Sequence, residues 1–116
     1  MKKYIILITL FASLLGMAWS LSISDIQYTA FPGSDNTYPS PYAGKSVSTE
    51  GIVTAINFKN AGFFISETVA GPYSGILVMD SRNDIRVGDR IRLSATVQES
   101  FGMTTLRDVS ALNILE

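Results

Sequence analysis

The sequence predicts an all-β protein, a small antiparallel barrel, and three adjoining stretches carry that reading. Over Asp89–Gln98, Ile91, Leu93, Ala95 and Val97 alternate with Arg90, Arg92, Ser94 and Thr96, the period-2 pattern of a strand with one dry face. Ahead of it stands Arg86-Val87-Gly88-Asp89, a turn in which Gly88 can take positive φ without steric cost. Behind it stands Ser100-Phe101-Gly102-Met103, a glycine-containing hairpin loop that leads into Thr104–Arg107.

The 116 residues suffice for one domain. Met1-Lys2-Lys3 is a basic start, Tyr4–Leu15 is an apolar run, and Ala18-Trp19-Ser20 places small residues where a leader is cut. Residues 1–20 therefore read as a helical signal peptide cleaved after Ser20, which makes the chain secreted or periplasmic. The competing reading is an uncleaved membrane anchor. An apolar run of about 12 residues is short against the roughly 20 of a spanning helix, which favours cleavage. Lys2 and Lys3 leave with the leader, so 9 basic residues become 7 against 10 acidic ones, a net of −3. A weakly acidic domain lacks the basic excess of a strong duplex-DNA binder. With no cysteine, the exported chain must stand on its hydrophobic core without disulfides.

Residues 21–44 form an N-terminal extension and loop. Ile23 and Ile26 are its apolar anchors, three residues apart, compatible with a short helical turn or with a docking strand. Ala30–Tyr42 is rich in proline, glycine, serine and asparagine and reads as a loop. Its Phe31, Tyr38 and Tyr42 are expected to pack over one barrel end, the alternative being a binding rim.

The barrel itself is placed at residues 45–116. Lys45–Ile56 is the first strand, with Gly51 expected to mark a bulge or kink. A turn over Asn57–Gly62 leads to the second strand, Phe63–Glu67, and Thr68–Ser74 turns into the third, Gly75–Asp80. Asp89–Gln98 is the fourth strand, Thr104–Arg107 the fifth, and Leu112–Leu115 closes the chain. Five strands with a kinked first and a long fourth predict an OB-fold, a Greek-key barrel.

At Tyr42-x-Gly44-x-x-Val47-x-Thr49-Glu50-Gly51-x-Val53-Thr54-Ala55 and at Gly62-Phe63-Phe64-Ile65, the chain resembles the OB-fold domains attached to bacterial extracellular nucleases. Gly75-Ile76-x-Val78, Val87-Gly88-Asp89-Arg90-Ile91 and Gly102-Met103-Thr104-x-Leu106 extend the similarity in order along the chain. In that family the hydrolytic domain follows the barrel, whereas this chain ends at Glu116. The resemblance therefore implies an accessory or binding module, without the nuclease. Ser66-Glu67 stands where the family often has Gln-Asp, so the outer face of the second strand is differently equipped.

The chain has no histidine, and with cysteine also missing the usual nucleophilic triads and zinc ligand sets are excluded. Asp80, Asp84 and Asp89 lack the calcium-loop pattern, because Arg82 and Arg86 occupy interior positions. Glu50 and Glu67 have no supporting acid–base partners. The reading is a non-enzyme without metal or cofactor. Binding is the better-equipped function. OB-folds take oligonucleotides across strands 2–3 and between the loops joining strands 1–2 and 4–5. The candidate contacts are Phe58, Lys59 and Asn60 in the first of these loops and Phe101 in the second. Phe64 on the second strand, Arg90 and Arg92 on the fourth, and Arg107 on the fifth complete the set. Aromatics for bases beside cations for phosphates suit single-stranded DNA or RNA. The alternative is a periplasmic or cell-surface protein-interaction or structural domain, with an envelope or secreted protein as partner and no nucleic-acid ligand. After leader cleavage no membrane contact is expected.

Overall fold

A computed structural model describes residues 19–115, so all but the last two residues of the leader predicted over residues 1–20 lie outside the described residues. The order is β1 (Trp19–Ser20), α1 (Ile23–Gln27), β2 (Ser46–Phe58), β3 (Gly62–Ser66), β4 (Gly75–Val78), β5 (Arg90–Ser100) and β6 (Met103–Ile114). Strands pair in the order β2-β3-β4-β6-β5, and β5 returns to β2 to close a five-stranded barrel. All these pairings are antiparallel except β4 with β6. That one parallel seam is the Greek-key crossing of an OB-fold.

Within the barrel β2 serves two neighbours. Its first half, Ser46–Ile52, pairs with β5, and from Ile52 onward it pairs with β3. The expected bulge at Gly51 is not there: pairing with β5 runs without a shift through Gly51, and the shifts lie between Val53 and Phe58. Gly51 is glycine for a packing reason. A Cβ at this buried position would stand 3.0 Å from Ile23 Cδ1, from Ile65 Cβ and from the Ser66 carbonyl oxygen.

The start of the extension folds as a helix. Ser22 caps α1 through a reciprocal pair, its Oγ accepting from the Asp25 amide while the Asp25 carboxylate accepts from the Ser22 amide. Glu67 takes a further free helix-end donor, the Ser24 amide, at 2.7 Å. Ile23 and Ile26 are both 0 % exposed and join the barrel core with Val47, Val53, Phe63, Ile65, Ile91, Leu93, Val97 and Leu106. Trp19–Ser20 pairs parallel with β2, and the Leu21 amide bonds the Ser48 carbonyl at 2.9 Å.

Other boundaries move for identifiable reasons. Phe58 ends β2 instead of opening the loop, because it pairs with Gly62 across a three-residue turn. The short fifth strand and the closing segment Leu112–Leu115 are mostly one strand, β6, whose pairing with β5 shifts between Ser94 and Thr96, where Asp108 takes φ +52° on the β6 side. Tyr42 packs against the core fringe as expected. Phe31 and Tyr38 do not cover the barrel end but stand exposed, because α1 already fills the core there. Among the described residues no helix is long and apolar enough to cross a membrane.

Candidate nucleic-acid interface

The outer wall over β3, β4 and β6 follows from strand alternation. Phe63 and Ile65 point into the core, so Phe64 between them points out, one of two adjacent phenylalanines, as the pleat requires. Across the wall Phe64 is flanked by Ala55 and Leu77, and Leu77 by Thr105. Leu77 belongs to this outer row, yet only 4 % of it is exposed. Gly62 explains the close packing: a Cβ there would lie 2.8 Å from the Val78 carbonyl oxygen, 3.2 Å from Leu77 Cδ1 and 3.4 Å from Met79 Sδ. Leu77 and Met79 occupy the space that a side chain at residue 62 would need.

Two cations border this apolar surface. On one side, Lys59 and Asn60 form the tight turn, at φ +47° and +57°, closed by the Ala61 amide on the Phe58 carbonyl at 2.9 Å. That turn aims Lys59 Nζ at the Phe58 ring, 5.5 Å from its centroid. Phe58 in turn meets Phe64 edge-to-face, centroids 5.3 Å apart and planes at 77°. On the other side, Arg107 follows Thr105 on β6, beside Met79, whose amide bonds the Leu106 carbonyl at 2.8 Å. Arg107 Nη2 donates to Ser100 Oγ at 3.2 Å, while its Nε is shielded from water without an acceptor.

Thus Phe58, Lys59, Phe64 and Arg107 share one wall, and the other four candidates sit differently. Asn60 borders a small cavity of about 110 Å³ with Asn57, Asp80, Arg82 and Ile85. Phe101 tips the β5–β6 hairpin, which lies at the Gly75 end of β4, whereas the Lys59 turn lies at its Val78 end. Arg90 and Arg92 lie over the β2–β5 seam, two strands round the barrel from β4. Both donate to the Glu50 carboxylate between them, Arg92 through Nε at 2.8 Å and through Nη2, and Arg90 through Nη2 at 3.3 Å. The aspartates of the β4–β5 link are spent locally: Asp80 on the Arg82 amide, Asp84 on the Arg82 guanidinium, and Asp89 on the Arg86 amide. Sequence reading missed Leu77 and Met79, whose outward position depends on the β4–β6 register. No local pattern of four residues marks it.

The Glu50 pair makes a pH prediction. Hydrogen bonds from Arg92 and then Arg90 hold its carboxyl below the ordinary value of 4.5. A carboxyl depressed in the folded state adds stability above its unfolded pKa and loses it as pH falls through the folded value. The effect is small and salt-sensitive because the pair is solvent-accessible. Urea midpoints measured at about pH 7 and about pH 3 should drop further in the wild-type chain than in Glu50→Gln. Equal drops would show that the pair is energetically silent.

A separate feature is backbone strain. Tyr38, Tyr73 and Phe101 adopt φ of +53°, +63° and +50°, in three different loops. Bulky residues in this left-handed region cost roughly 1–2 kcal/mol each, and such outliers gather where function requires them.

Comparison with known proteins finds no matching family model and no matching curated protein sequence.

Proposed function

We propose that this chain is an exported single OB-fold module that holds single-stranded nucleic acid weakly on the outer wall of β3, β4 and β6. The observation that carries the reading is the shared wall itself: two contacting phenylalanines with Lys59 on one border and Arg107 on the other. Bases stack on the aromatic faces of Phe58 and Phe64, and Lys59 and Arg107 take phosphates. A net-negative domain gives only micromolar affinity, with little sequence preference. Together with the resemblance to nuclease-attached barrels, this supports a role as accessory to an extracellular nuclease.

Fluorescence anisotropy of labelled single-stranded DNA and RNA at two salt concentrations tests the reading. Phe58→Ala should weaken binding roughly five- to a hundredfold, the worth of one stacked base. Lys59→Ala should flatten the salt slope by about 0.7, one phosphate's share on a single strand. Arg92→Ala should leave affinity within about twofold, because its guanidinium is engaged with Glu50 on another wall. No salt-dependent signal at high micromolar protein would sink the nucleic-acid reading. The protein-interaction alternative would then stand, favoured by the engagement of Arg90 and Arg92 with Glu50.

A further inference from the structure

The end of the barrel away from the Lys59 turn carries a second site. Three segments meet there: the loop after α1, the β3–β4 loop and the β5–β6 hairpin. They enclose a cleft of about 340 Å³, lined by the aromatics Tyr38 and Tyr73, by Met103, and by Gln27, Thr29 and Thr104. That volume falls in the roughly 300–1,000 Å³ range of small-ligand clefts. Tyr28 meets Tyr73 edge-to-face, centroids 5.4 Å apart, and Phe101 stands fully exposed on the adjoining turn. Each segment contributes an exposed aromatic at positive φ, namely Tyr38, Tyr73 and Phe101. Turns of this shape favour asparagine, aspartate or glycine, so local conformational preference does not account for these side chains.

The cleft is also held in place. The Tyr38 amide bonds the Pro32 carbonyl at 3.0 Å, and the Ser40 amide bonds the Glu99 carboxylate on β5 at 2.6 Å. Thr104 Oγ1 on β6 donates to the same carboxylate, so one acidic group ties the loop to the hairpin. Gln27 Nε2 donates to the Gly75 carbonyl at 2.8 Å, which joins α1 to the start of β4. A preset cleft loses less entropy when a ligand enters.

The lining chooses the ligand. Among the described residues, those that line the cleft carry no charge, so neither a phosphate nor a cation finds a counter-ion. One Gln27 amide N–H and the Thr104 hydroxyl proton are already committed, which leaves acceptors on both side chains together with the second Gln27 N–H and the hydroxyls of Thr29 and the tyrosines. A proline-rich peptide presents carbonyl acceptors but no proline N–H, so it would leave the lining acceptors unpaired. A polyol ring donates as readily as it accepts, and its C–H face lies flat on an aromatic ring. We infer that this cleft binds a neutral oligosaccharide, with pyranose rings on Tyr38 and Tyr73 and hydroxyls on Gln27 and Thr104.

The test is calorimetric titration of the chain with two probes, a glucose hexasaccharide and an N-acetylglucosamine hexasaccharide, with a proline decapeptide as contrast. Binding of at least one sugar is expected, and Tyr38→Asn and Tyr73→Asn should each weaken it tenfold or more. Asparagine accepts positive φ, so the thermal midpoint of Tyr38→Asn should hold or rise while sugar affinity falls, which separates a ligand contact from a structural one. Lys59→Ala should leave sugar binding unchanged, so the cleft and the nucleic-acid wall succeed or fail separately. The inference is overturned by no heat from either sugar at millimolar concentration, by sugar binding indifferent to both tyrosine variants, or by binding of the decapeptide alone.

Discussion

Ile23→Ala should destabilise the protein by about 2–5 kcal/mol, the cost of an isoleucine or leucine truncated in a packed core. The side chain is 0 % exposed although it belongs to a five-residue helix outside the barrel strands. Its Cδ1 lies against the face of Gly51, and Ile26 follows one helical turn later into the same cluster. Removing it opens a void between α1, β2 and β3 that rigid strands close only in part. A helix this short has little stability of its own, so the lost contact falls on the whole domain. Urea unfolding measures it. A loss below about 1 kcal/mol would make α1 a peripheral cover and not part of the core.

Phe63→Ala and Phe64→Ala should separate stability from binding at neighbouring positions. Phe63 is the largest fully buried side chain and pairs inward with Val78, so its truncation should cost about 3–5 kcal/mol. Phe64 is half-buried on the opposite face, where it gives Phe58 its edge-to-face partner. Its truncation removes an aromatic pair of about 0.5–1.5 kcal/mol together with partial burial, a smaller loss than at Phe63. On the proposed nucleic-acid wall it should nevertheless weaken single-strand binding, whereas any Phe63→Ala protein that folds should retain it. Chemical unfolding and anisotropy on the same two variants provide the check. Equal stability losses would mean that the β3 register is wrong.

The β5–β6 hairpin and the outward Phe64 were legible because they depend on short-range rules. The alternation of Ile91, Leu93, Ala95 and Val97 survives in the structure as four buried side chains, and Gly88 takes φ +98° in its turn. Both follow from the strand period of two and from glycine's missing Cβ, properties that any ten-residue window contains. Half of the candidate contacts, Phe58, Lys59, Phe64 and Arg107, were likewise legible as residue types that the strand order then brings to one wall.

The remaining features needed contacts between distant parts of the chain. Ile23 and Ile26 fit either a helical turn or a strand until the open barrel end supplied an apolar space that only a capped helix fills. Gly51 was visible as an anomaly, but its reason is the approach of residues 23 and 65, far away in sequence. Arg90 and Arg92 read as free cations because Glu50 lies 40 and 42 residues away and meets them only when β2 pairs with β5. The sequence by itself determined which segments extend, where they turn and which faces are dry, since these depend on neighbours in the chain. Only the tertiary structure decided what fills the barrel end, which cations are already paired and which aromatics share a wall, because each depends on closing the β2–β5 and β4–β6 seams.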